Sequence, residues 1–344
     1  MRVRIVSACA LGLAACACLL AAGAGTGVAA RQITLGQPAA AETKATDEER
    51  KAAQKINEAK DNAAKLAATT EFLGKYPKSG LRPRIGEAFA SMVNTTDDPA
   101  QRITYAEQYL KLFTEPGEAD RVSASLLDAY IITNRAEDSF RLGATWLEKN
   151  ADDVDVMRRL AVVGLNEAIK GNNKFVVQGN AYGAKAIEIL EADRRPAATP
   201  AAEWADYKTK WMPAIYREAG FLAMSAGDRA TAKARLLKAA ELKNPDPAVY
   251  AYLGQMYDEE YAEMAKAYQA MPAGAEKQAK LKEVEAQMDR AIEFYARAIA
   301  VAGDKPEYAN LRTQVRPGLE EYYKFRHSGS TSGLQQLIDK YKTP

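Results

Sequence analysis

Histidine is nearly absent from this sequence: His327 is the only one among 344 residues. It stands beside a turn near the C-terminus, where a solvated surface histidine is the ordinary case. Cysteine is confined to the N-terminus, at Cys9, Cys16 and Cys18. Together these shortages exclude Cys-His catalysis and the commoner zinc sites from the body of the chain. That body can form no disulfide. A Ser-His-Asp triad would have to be built on His327, with no strand-turn-helix elbow around it. Phosphate loops of the Gly-x-x-x-x-Gly-Lys-Ser/Thr and Gly-x-Gly-x-x-Gly kinds are missing as well. So is any sustained period-two alternation bounded by turns, which excludes an obvious strand.

An excess of charge of one sign is also lacking. The net charge is +2, and Arg2 and Arg4 carry all of it; without them bases and acids are equal in number. A balanced body has no basic stripe for phosphates, which argues against a nucleic-acid partner. A hydrophobic share of 47% with 27% charged residues suits a folded chain with a large core.

Residues 1–30 read as an export signal. Arg2 and Arg4 start it, Ile5 to Ala22 is apolar or small, and Val28-Ala29-Ala30 offers a cleavage site. The alternative is an uncleaved anchor, since the apolar stretch barely reaches the ~20 residues a spanning helix needs. Leu13-Ala14-Ala15-Cys16 resembles a bacterial lipobox, which would make Cys16 a lipidation site and the protein a membrane-anchored lipoprotein. Otherwise the expected location is periplasmic or secreted. Membrane contact is expected only through an uncleaved or lipidated N-terminus. Residues 31–46, polar and small, read as a flexible tether.

What is present is a pattern that returns after 34 residues. Tyr216, Ala219, Gly220 and Ala223 are followed by Tyr250, Leu253, Gly254 and Tyr257. Within each set the spacing i, i+3, i+4, i+7 marks one face of a helix. Ala226-Gly227-Asp228 makes a turn. Ala232, Leu236 and Ala239 form the buried face of a second helix, which Asn244-Pro245 stops. Gly220 and Ala232 let the two helices approach, and Tyr216 and Leu236 fill space beside them. One such hairpin cannot bury its own apolar face, so several must stack.

These residues resemble the tetratricopeptide repeat. Tyr250, Leu253-Gly254 and Tyr257 match its first helix, and Ala291, Tyr295 and Ala298 its second. The resemblance implies an all-α solenoid of antiparallel helix hairpins over 47–344. Units are expected near 47–85, 86–119, 120–153, 154–212, 213–246 and 247–305, with a cap at 306–344. In this family the first helices line the concave side. The inward residues should then be Arg121, Asp128, Asp155, Arg158, Arg217, Phe221, Gln255 and Asp258, a mixture suited to an extended peptide or protein segment. Phe221 and Val162 stand where the family's carboxylate clamp has asparagines, so that specificity does not carry over.

Two stretches exceed the period by 25 residues each. The first, before 213, holds Trp204, Tyr207 and Trp211, read either as an extra helix packed on the solenoid or as an aromatic ligand ledge. The second separates Tyr257 from Ala291, around Met271-Pro272-Ala273-Gly274. It predicts an overlong hairpin reaching roughly 18 Å beyond the array at ~1.5 Å per residue. Near the end, Pro317 should halt a short helix begun by Tyr308, Leu311 and Val315. Leu334, Leu337, Ile338 and Tyr341 should form a terminal capping helix.

The expected function is non-enzymatic: a scaffold or adaptor for a protein or peptide. No motif demands a cofactor or metal. A lipid-anchored envelope assembly component is one alternative. A carboxylate-based wall hydrolase is the other, drawing on Asp258-Glu259-Glu260 and Glu320-Glu321.

Overall fold

A computed structural model describes residues 45–197 and 199–342. The expected signal segment with Cys16, and most of the tether, lie outside the described residues. Among those described the chain is all-α, without a strand, and consecutive helices pack as neighbours. Two compact units divide it at residues 156 and 157, in the first turn of α7.

The first unit contains α1 (Asp47–Glu58), α2 (Asn62–Lys75), α3 (Arg82–Asn94), α4 (Pro99–Leu112), α5 (Asp120–Ile132) and α6 (Ala136–Lys149). Its core is aromatic, with Phe72, Phe89, Tyr109, Phe113 and Tyr130 all buried. Tyr109 stacks on Phe113 at 4.4 Å between centroids, and Phe89 meets both edge-on. Beside this core Arg82 donates two hydrogen bonds to Glu118, at 3.1 and 2.8 Å, and a third to the Leu112 carbonyl.

The second unit contains nearly all of α7 (Val154–Ile169), then α8 (Val176–Glu191), α9 (Ala201–Ser225), α10 (Arg229–Glu241), α11 (Pro247–Ala270), α12 (Ala275–Ala302), α13 (Ala309–Arg326) and α14 (Leu334–Asp339). Local chemistry sets the helix ends. Thr46, Asp61, Asp98, Asp228 and Asp246 cap helix N-termini with side-chain oxygens, and Pro99 and Pro247 occupy first turns. The C-termini repeat one device, in which a left-handed residue lets the next amide reach back five residues. Arg135 reaches Tyr130, Asp228 reaches Ala223 and Asn244 reaches Ala239, past Asn134, Gly227 and Lys243 respectively. At Gly227 the missing side chain makes that conformation cheap; Lys243 adopts it with a full side chain.

The overlong hairpin is there. Helices α11 and α12 have 24 and 28 residues, where α5 and α6 have 13 and 14. Burial along it reaches Ala265 and Val284. Helix α14 follows as the short terminal helix, with Leu334 and Ile338 buried.

Two expectations are corrected. The extra helix before 213 is not separate: α9 runs unbroken through Pro213, so the expected boundary at 212 falls inside it. Pro317 does not halt a helix either, because α13 continues through it to Arg326. An interior proline costs about 3 kcal/mol in a lone helix. Here both halves bury side chains, Leu311 and Val315 before Pro317, Leu319 and Tyr322 after it. Each such burial contributes about 1.5–3 kcal/mol, enough together to override one break.

Candidate functional site

In the first unit, Arg121 and Asp128 lie on α5 and Asp155 in the first turn of α7, all half-buried. The Arg121 guanidinium donates to the Pro83 carbonyl at 3.2 Å, which fixes its position against α3.

The remaining expected residues gather on α7, α9 and α11 of the second unit. Arg158 spreads its guanidinium over the Trp211 ring, 4.0 Å from the centroid, which brings a residue expected on the concave face against one expected in the aromatic ledge. Arg217 bridges two acids, Glu218 at 3.1 Å and Asp246 at 3.3 Å. Gln255 donates to Glu259 at 2.9 Å while its own carbonyl oxygen is buried without a partner among the described residues. Phe221 is corrected: at 1% exposure it is core, packed edge-on against Tyr252 at 5.3 Å, and offers no surface to a ligand. Tyr252, projecting from the next first helix, is what covers it.

The ledge is layered. Trp204 is buried, donates to Asp193 at 2.8 Å and stacks parallel to Tyr207 at 5.8 Å. Tyr207 and Trp211 are half-exposed. The packed reading therefore describes Trp204.

Asp258 sits where α11, α12 and α13 meet. It accepts hydrogen bonds from the Tyr322 hydroxyl and, at 3.3 Å, from the Tyr295 hydroxyl. Burial pushes its carboxyl above the usual range, and the two hydroxyls only partly offset this. Three of the acids once grouped with it by composition are engaged elsewhere: Glu260 pairs with Lys233 at 2.6 Å, Glu259 with Arg229, and Glu320 with Arg316 at 3.5 Å. His327 stacks on Tyr323 at 3.8 Å and sits at the surface.

Sequence reading missed Glu218. It is buried among Ile215, Tyr216, Ala219 and Leu222, and one carboxyl oxygen has no partner. Burial raises its pKa, opposed by Arg217 and Arg158. The signal was available: an acid with apolar residues three before and four after it lies on the buried stripe. Tyr261 was missed for a related reason, since the stripe 250, 254, 257 continues to it beyond the repeat.

Among the described residues no group of three or more His, Cys, Asp or Glu could hold a metal ion, and no helix is long and apolar enough to cross a membrane. No protein-family model matches the chain, and no curated protein sequence matches it.

Proposed function

We propose that this chain is an exported, non-enzymatic scaffold or adaptor of tetratricopeptide type, which holds a protein or peptide segment along the first helices of its hairpins. The observation that carries the reading is one small-against-large contact repeated at the 34-residue spacing. A Cβ on Gly220 would lie 2.9 Å from Leu236, and one on Gly254 would lie 2.6 Å from Tyr295 Cε1. Each glycine thus lets the two helices of its hairpin close together, α9 on α10 and α11 on α12.

Hairpins built alike present their first helices in series, and a series of parallel helices suits an extended ligand. The Phe221–Tyr252 contact joins α9 to α11 directly. Polar groups on the same helices, Arg217 and Gln255, are half-buried and held by neighbours, so they would meet a ligand with little loss of side-chain freedom.

Site-specific photo-cross-linking in the native host tests this. A photoreactive residue at 217 or 255 should give a discrete adduct with one protein. The same residue at 238, exposed on the second helix α10, should not. Equal labelling from all three positions, or none from 217 and 255, refutes the reading.

A further inference from the structure

At the root of the overlong hairpin is a pocket of about 380 Å³, lined by Tyr261 of α11, Met288 of α12, and Glu321, Tyr322, Lys324 and Phe325 of α13. That volume falls in the range of small-ligand clefts, roughly 300–1,000 Å³. Tyr261 and Tyr322 meet nearly at right angles, with centroids 5.4 Å apart, so they form two walls rather than a flat stack. Tyr261 is only 2% exposed. Tyr261 belongs to the pocket lining, and among the described residues its hydroxyl makes no hydrogen bond. That hydroxyl is not sealed from solvent, and its oxygen can accept a hydrogen bond from a donor arriving in the pocket.

The charges around the pocket favour a cation. Among the described residues Glu321 of the lining makes no ion pair, and Asp258 behind Tyr322 is partnered by two hydroxyls. Arg326, the nearby arginine, is committed to Glu285 and Asp289. Lys324 is exposed, and its ammonium has room to extend into water while the stem lines the pocket. An anion would meet two carboxylates and the negative faces of the rings. A purely apolar group would make no use of the Glu321 carboxylate or the Tyr261 hydroxyl. A Lys or Arg side chain lays its stem on Met288 and Phe325 and its N–H groups on Tyr261 and Glu321, with aromatic faces beside the charge.

We propose that this pocket receives one basic side chain of the bound partner. The inference rests on the partner-binding reading above and adds a second point of attachment, apart from the first-helix groove.

The test uses the full chain with isotope-labelled methionine methyls, the Met288 signal being assigned through Met288→Leu. Nα-acetyl-arginine amide and Nα-acetyl-lysine amide are titrated, with Nα-acetyl-norleucine amide as the uncharged probe. A basic amide should shift the Met288 signal along a saturable curve, and the norleucine amide should bind at least about fivefold more weakly, the worth of a cation beside aromatic and carboxylate groups. Glu321→Gln should weaken the basic probe about fivefold, and Lys324→Gln should leave it as tight or tighter. Both residues are exposed, so neither change threatens folding. Equal response to norleucine amide, an unmoved Met288 signal, or unchanged affinity in Glu321→Gln overturns the proposal. Cross-linking from 217 or 255 with a silent Met288 removes the pocket alone. A responding Met288 without any adduct keeps the basic-group site and removes the scaffold reading.

Discussion

Gly254→Ala should destabilise the second unit although it places a better helix former inside a helix. The added Cβ would lie 2.6 Å from Tyr295 Cε1, closer still to Cδ1, and 3.1 Å from Cγ. Carbon atoms rest at about 3.5–4 Å, so the ring must retreat by about 1 Å. It has little room. Tyr295 is buried, its hydroxyl is tied to Asp258, and its far edge is 3.8 Å from the Cβ position of Gly318 on α13. Overpacking of this kind costs about 1–3 kcal/mol. Replacing glycine by alanine returns about 1 kcal/mol of helix propensity. With contacts under 3 Å the upper half of that range applies, about 2–3 kcal/mol, and the balance is a loss of about 1–2 kcal/mol. Gly318→Ala offers the opposite sign across the same ring, because its Cβ makes ordinary contact and the propensity gain of about 0.5–1 kcal/mol survives. Urea titration followed by far-UV circular dichroism reads both, provided the denaturant slope is unchanged. On a Tyr295→Leu background the Gly254→Ala penalty should vanish. A Gly254→Ala protein as stable as the parent, or an equal penalty on both backgrounds, would show that Tyr295 does not set the helix spacing.

Lys243→Gly should stabilise the α10–α11 turn by about 0.5–1 kcal/mol, since Lys243 holds φ at 55° and glycine removes that strain; a loss in thermal midpoint refutes it. Glu118→Ala should cost the first unit about 3–5 kcal/mol by stranding the buried Arg82 guanidinium, and Arg82→Met with Glu118→Leu should recover most of it in denaturant titration. Burial holds the Glu218 carboxyl above its usual range, so the folded protein keeps a proton that the unfolded chain has released. Its contribution is full in acid and is lost as pH rises from the ordinary carboxylate range through the folded value; Glu218→Gln should gain on the parent across that window, and a pH-independent difference refutes this. Removing 268–281 and joining the ends by a short turn should leave folding and helicity per residue nearly unchanged, because burial stops at Ala265 and Val284; loss of the cooperative transition would show that the tip is structural.

The helical class and the long hairpin were legible because each rests on periodicity, which local sequence carries in full. Gly254 and Tyr295 stand 41 positions apart, in the stretches read as the first and second helix of one hairpin, and they pack together. Pro317 was misread for the complementary reason. It breaks a helix only when nothing else holds the two halves. In α13 that support is Leu311 and Val315 on one side of the proline and Leu319 and Tyr322 on the other, all on one core. A local rule for proline has no access to that sum.

Phe221 and Gln255 mark the limit of register more sharply. They occupy equivalent positions 34 residues apart, and register assigns both to the ligand-facing side. One is sealed in the core, and the other keeps a half-buried amide. Register fixes the direction in which a side chain leaves its helix, whereas exposure depends on what the next helix places opposite. Opposite Phe221 that is Tyr252, a large ring directly before the repeat's own Leu253. Glu218, a turn before Phe221, is buried with it, and so a face expected to carry ligand contacts carries an enclosed carboxylate instead. What α9 leaves exposed at Phe221 is therefore set by a large side chain of α11 packed across it. Substituting Tyr252 by alanine should expose Phe221 and lower the enclosure of Glu218, bringing its pKa toward the ordinary value. Titration of an isotope-labelled glutamate carboxyl in Tyr252→Ala would read that change, and an unaltered Glu218 would show that α11 is not what encloses it.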